Sequence, residues 1–252
     1  MMPKYEKPQK RNPNRLAVKQ HVLPLKSIAR FSDVAGRVSL CDISQKIVRP
    51  AKPNDDIFCA KRAWSQQAES GYMKKVEDAF QPLVASILAG NPVEIRDADA
   101  ATVSDFYALW HMRSRRRELE AQEIELKGVL GGGGLTKDQE EKLEMNGYIF
   151  SRDGGKIPAR HINGVQLQVG VFKFSRQIQA STQWGILRTN DGEFIVPDMP
   201  AHQVMPIAPQ VALATGTAGG VIPFGSLVDI NRALSMASQK YFFARDFKNC
   251  PR

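Results

Sequence analysis

Three polar residues stand where the patterning of the chain could put chemistry. His21 lies in the apolar stretch Gln20-His21-Val22-Leu23-Pro24. Asp198 follows the apolar run 194–196 and is flanked by Pro197 and Pro200. An imidazole titrates near neutrality and can act as a general acid or base, although a histidine in an apolar stretch also reads as a satisfied structural residue. A carboxylate at a strand end can be a base, a metal ligand or the group that orients a histidine. The same residue equally reads as an Asx-turn group at the strand exit. Arg113 continues the apolar stripe of Phe106 and Trp110. A guanidinium on that stripe is partly buried and needs a partner, so it either lines a pocket or holds a structural ion pair. Arg115, Arg116 and Arg117 come next. Clustered guanidiniums make bidentate contacts to phosphate or carboxylate. The alternative is a solvated helix face neutralised by Glu118, Glu120 and Glu123.

Standard catalytic motifs do not appear. The glycine run 131–134 is followed by Leu135 instead of a lysine and is not preceded by an apolar strand, so it is no phosphate-binding loop. There is no His-Glu-x-x-His, no Gly-x-Ser-x-Gly and no EF-hand loop. His21, His111, His161 and His202 are isolated from one another, so the fold would have to assemble any metal site; the sequence identifies neither a metal nor a cofactor. Cys41, Cys59 and Cys250 are odd in number, far apart and without paired spacing, which reads as reduced structural thiols in a cytoplasm.

These groups must be positioned by a chain of 252 residues, 42% hydrophobic and 24% charged. That composition excludes collagen-like, wholly disordered and disulfide-scaffold classes. No apolar run reaches the roughly 18 residues that cross a bilayer, and no signal-peptide core follows the basic start. The net charge of +9 is uneven: residues 1–20 hold six basic side chains and one acid, Glu6. Residues 1–19, with Pro3, Pro8 and Pro13, read as a basic disordered arm able to attract nucleic acid through its phosphates.

Alternation over residues 37–42 predicts a strand, paired as an early hairpin with Ile47-Val48. Met73, Val76, Phe80, Leu83 and Ile87 predict a helix over 69–89 that stops at Gly90 and is kinked or broken at Pro82. Thr102 with Asp105 predicts a capped helix start, and Thr136 with Gln139 a second one. Val165, Leu167, Val169 and Val171 alternate with Gln166 and Gln168 and predict a strand. Asn190-Asp191-Gly192 predicts a hairpin turn between 184–187 and 193–196. Residues 211–214 predict another strand, 227–237 a helix and 241–243 a closing strand. The expected fold is α+β: antiparallel strands from both chain halves packed with two or three helices, with a polar insertion at 118–160. One domain is expected over 20–245, with a tail at 246–252.

In order along the chain, several of these segments resemble the domain-of-unknown-function family DUF 4238. The matching pieces are Gln20-His21-Val22-Leu23-Pro24 to Phe31, Gly36 to Leu40, Val76-Glu77 to Phe80, and Phe106 to Arg113. They continue with Trp184 to Leu187, Phe194 to Pro200, and Ile230-Asn231-Arg232 to Tyr241. Pro197 departs from the serine that precedes the family's aspartate, and Gln20 from the asparagine or histidine before its histidine. The resemblance implies a shared fold and makes His21, Glu77, Arg113, Asp198, Asn231 and Arg232 the positions to watch. If they converge, His21 acts as acid or base, Asp198 orients it, Arg113 binds a phosphate, and Glu77 takes a metal or a proton. Asn231 and Arg232 then serve substrate binding. That reading is a hydrolase-like enzyme acting on a phosphate-containing substrate such as nucleic acid. The alternative is a non-catalytic binding or regulatory protein in which the same groups form a structural network.

Overall fold

The computed structural model describes residues 5–91, 94–129, 131, 133–181 and 183–252. The chain opens with β1 (Lys19–His21), α1 (Leu25–Ala29), β2 (Val38–Asp42), β3 (Ile47–Ala51) and β4 (Cys59–Lys61). A short turn of helix, α2 (Gln66–Ala68), widens into a π-helical turn over Glu69–Met73 and continues as α3 (Lys74–Leu88). Then come α4 (Asp97–Arg115), β5 (Glu123–Glu125), α5 (Lys137–Met145), β6 (Lys156–Pro158) and the long α6 (Ala159–Ser181). The last part holds β7 (Trp184–Arg188), β8 (Val196–Pro197), β9 (Val204–Ala208), β10 (Val211–Thr215), β11 (Gly219–Val221), α7 (Phe224–Ala237) and β12 (Tyr241–Ala244).

This is an α+β fold in which one sheet draws on both chain halves. That sheet has the order β3-β2-β12-β8, all antiparallel, so the last strand lies between the first hairpin and β8. A second four-stranded sheet, built from the later part of the chain alone, has the order β11-β7-β10-β9, antiparallel except for β11 on β7, and β1–β4 and β5–β6 form two-stranded antiparallel pairs. Val38, Leu40 and Asp42 turn inward on β2, as the alternation requires, whereas β12 is paired on both sides and buried throughout. Phe58 meets Tyr241 and Phe243 edge-on, and Phe31 meets Phe243 the same way. Phe80 of α3 stacks on Phe106 of α4.

Several expectations need correction. The valines at 165, 169 and 171 belong to a helix. Beyond its buried first turns, the buried positions of α6 are Leu167, Val171, Ser175 and Ile178, spaced four and three apart, while Val165 and Val169 face out. The exposed valines create a false alternation with Leu167. Gly170 has no side chain where Met112 of α4 would collide with one, which lets α4 and α6 pack closely. Second, the turn at 190–192 does not make a hairpin: β7 and β8 lie in different sheets. The backbone of 193–195 bonds elsewhere, to Asn249, Pro209 and Asn231. Third, α4 begins at Asp97, with Asp97 and Asp99 in its first turn. Thr102 sits inside it and Asp105 accepts from Ser175 of α6. Pro82 lies within α3 without breaking it. The stop near Gly90, the capping box at Thr136 and Gln139, and the β2–β3 hairpin all form as expected.

Residues 5–18 do not form a free arm. Leu16 is buried, Gln9 and Asn14 donate to Glu141 of α5, and the Ala17 amide donates to Gln66. Lys4 lies outside the described residues, as does Gly132 of the glycine run. Glu6 accepts from Arg160 at 2.5 Å and Arg152 at 2.8 Å and pairs with Lys137. Arg160 and Arg62 share the Oε2 atom of Glu144, at 2.8 Å and 2.6 Å. Burial alone would push the Glu6 carboxyl up, but Arg160, Lys137 and Arg152 hold it far below the usual carboxylate range. This ionic cluster fastens the N-terminal strap and the polar insertion to the body.

Glu144→Gln should therefore leave two buried guanidiniums undercompensated and cost about 3–5 kcal/mol in urea denaturation; a loss within the range of an ordinary surface change would contradict this account. His161 is buried, its ring edge rests on Phe150, and burial followed by the Arg160 charge pushes its pKa down to about 4. Between about pH 6.5 and 4 the unfolded chain takes up a proton that the native ring does not. Stability should fall over that window by roughly 3 kcal/mol. In His161→Phe this limb of the pH profile should flatten, and an unchanged limb would assign the effect to another group.

Candidate functional site

Arg113 is 1% exposed near the C-terminus of α4. Its Nη1 donates to Glu77 Oε1 at 2.5 Å, its Nη2 reaches Glu69 Oε2 at 3.5 Å, and its Nε points at Met73 Sδ at 3.4 Å. The Trp64 ring lies 5.5 Å from the guanidinium carbon, and the Trp64 indole N–H donates to the same Glu69 Oε2 at 2.5 Å. Glu69, Met73 and Glu77 are spaced four apart, and the wide turn at Glu69–Met73 presents all three to one arginine. One buried positive charge thus meets two carboxylates, each with about a quarter of its side chain in solvent.

His21, on β1, joins this cluster electrostatically. Its Nε2 is 3.3 Å from the Pro53 carbonyl, which can only accept, so Nε2 carries the proton of the neutral ring. Burial lowers the His21 pKa; the Pro53 carbonyl and Glu77 oppose that, while Arg113 adds to it. Burial raises the Glu77 pKa, against the pull of Arg113. A neutral imidazole and a carboxyl drawn toward its acid form are the two ingredients of proton transfer.

Asp198 does not orient His21. It is 5% exposed, and its two oxygens accept from the backbone amides of Gln239 and Lys240, both at 2.9 Å. These amides lie more than forty residues away in sequence, so the carboxylate is no local Asx turn either. It closes the junction between α7 and β12. Asn231, fully buried on α7, accepts from the Ile195 amide at 2.9 Å and donates to the carbonyls of Glu193 at 2.8 Å and Pro251 at 3.0 Å. Arg232 is exposed, with Asp229 at 4.0 Å. Of the six expected positions, His21, Glu77 and Arg113 share one neighbourhood; Asp198, Asn231 and Arg232 have partners of their own elsewhere.

Glu69 and Trp64 escaped the sequence reading, and Met73 was read only as part of an apolar stripe, although the four-residue spacing of Glu69, Met73 and Glu77 was a usable signal. Among the described residues, no three His, Cys, Asp or Glu side chains gather as a metal ion would require.

The two neighbourhoods are separable by titration. Glu77→Gln removes a charge that supports the protonated form of His21, so the His21 pKa should fall further when followed by ring proton resonances. Asp198→Ala should leave it in place. A His21 titration that responds equally to both substitutions would refute the separation. The chain matches no family model, no curated protein and no solved structure.

Proposed function

We propose that this DUF 4238-like chain is a non-catalytic binding protein whose buried polar groups form the network that holds its parts together. One observation carries this reading: Arg113, Asp198 and Asn231 each have their hydrogen-bonding groups engaged by other parts of the same chain. A guanidinium already facing two carboxylates is a poor receptor for a phosphate, because the incoming anion must displace or neutralise them. Asp198 is engaged by the two amides and makes no hydrogen bond to His21 among the described residues.

A hydrolase-like enzyme acting on a phosphate-containing substrate such as nucleic acid is the second reading. It is favoured by the partial exposure of Glu77 and by the opposed pKa shifts of Glu77 and His21. On that reading the pair transfers a proton, with Arg113 fixing the carboxyl.

Stability and cleavage decide between the two. On the network reading, Arg113→Ala and Asp198→Ala each cost about 3–5 kcal/mol, because two partly buried carboxylates in the first case and two backbone amides in the second lose their partner. The wild type then cleaves neither an RNA nor a DNA oligonucleotide, with or without magnesium. Cleavage that is lost in His21→Ala and Glu77→Gln at unchanged melting temperature would replace the network reading with the enzymatic one.

A further inference from the structure

Two of the three acids expected to neutralise the arginines at the end of α4 are engaged elsewhere. Glu118 pairs with Lys240, and Glu123 pairs with Arg152 at 2.7 Å. Arg117 turns to the carbonyls of Ile57 and Cys59. Arg115 is exposed and makes no hydrogen bond or ion pair among the described residues. Arg116 is held by two neutral oxygens, the amide oxygens of Asn163, at 3.4 Å, and Gln166. It is thereby oriented through one nitrogen without being neutralised. Arg62, Arg113, Arg152 and Arg160, by contrast, each meet a carboxylate.

Arg115 and Arg116 line a groove of about 520 Å³ between the end of α4 and the start of α6. Met112, Leu119 and Ile124 supply its apolar wall, and His111, packed on Phe174, borders it. Of the two acids on the lining, Glu118 has Lys240 and only Glu120 remains against two guanidiniums. The volume falls in the range of small-molecule sites, and the mixture of apolar wall and few fixed polar groups is what such sites need. One guanidinium oriented by neutral oxygens, beside a second with no ion-pair partner, is suited to capture of an oxyanion.

We propose that this groove binds an organic anion, with its phosphate or carboxylate held by Arg115 and Arg116 and its apolar body against Met112, Leu119 and Ile124. The proposal rests on the binding reading above and locates the ligand away from the His21–Glu77–Arg113 cluster.

Calorimetric titration with phenyl phosphate, benzoate and the neutral benzyl alcohol tests it. The wild type should bind at least one of the two anions and bind the alcohol at least about tenfold more weakly. Preference for phenyl phosphate assigns a phosphate ligand, preference for benzoate a carboxylate, and equal binding a general oxyanion site. Arg115→Glu, at an exposed and unpartnered position, should fold as the wild type does and lose the anion affinity. Arg116→Gln should weaken it about tenfold. Absence of anion binding by the wild type, equal binding of the alcohol, or unchanged affinity in folded Arg115→Glu would each overturn the proposal. Failure here leaves the stability costs of Arg113→Ala and Asp198→Ala untouched, so the two readings fail separately.

Discussion

A guanidinium cannot be buried without an anion beside it, and this fold is organised around meeting that requirement several times. Desolvating a charge is expensive, and only close opposite charges with well-directed hydrogen bonds offset the cost. Arg62 and Arg160 satisfy it through Glu144 and Glu6, and Arg113 through Glu77 and Glu69. Each solution joins segments distant in sequence: the N-terminal strap to α5 and α6 in the first case, the α2–α3 helix to α4 in the second. The ionic matching therefore dictates which segments must be neighbours, while the apolar packing of α3, α4 and α6 supplies the bulk of the driving force.

A related constraint governs the second half. A chain that crosses between two sheets leaves backbone groups outside any ladder, and buried backbone groups need partners. Residues 193–195 make that crossing, and Asn231 supplies one acceptor and two donors, reaching both 193–195 and the C-terminal residues. Asp198 does the same for the amides of Gln239 and Lys240 at the entry to β12. A strand-end acid flanked by prolines and an asparagine on the last helix are thus explained by where the backbone runs. Chemistry is not needed to account for either.

What the sequence disclosed follows from the range of each signal. Local chemistry was legible: the capping box at Thr136, the glycine stop at 90, the β2–β3 hairpin and the stripe that buries Arg113. Signals that depend on tertiary context misled. Val165 and Val169 look like one face of a strand because nothing local distinguishes an exposed valine from a buried one. The turn at 190–192 has hairpin residues, but Asn231 and Asn249 draw the following backbone away from β7. The strap looked disordered because its basic residues dominate, whereas its single acid, Glu6, is the residue that anchors it. Of the candidate site, the meeting of His21, Glu77 and Arg113 was anticipated. The carboxylate that completes it, Glu69, lies on a widened helical turn that the sequence does not announce, and only its four-residue spacing to Met73 and Glu77 pointed to it.

The same matching rule also identifies where the molecule is unfinished. Five charged residues end α4 and enter the next loop: Arg115, Arg116, Arg117 and Glu118 in succession, and Glu120 after Leu119. Taken alone, they balance to a single excess positive charge. Folding redistributes the balance, since Lys240 takes Glu118 and the carbonyls of β4 and its preceding turn take Arg117. Arg115 and Arg116 are left beside a cavity, Arg116 with two neutral amide oxygens and Arg115 with no hydrogen-bond partner among the described residues. A protein that supplies carboxylates to its interior arginines, but amide oxygens to Arg116 and nothing to Arg115, has arranged positive charge without discharging it. That contrast, more than the perturbed histidine, separates a place built to hold the fold from a place open to something else.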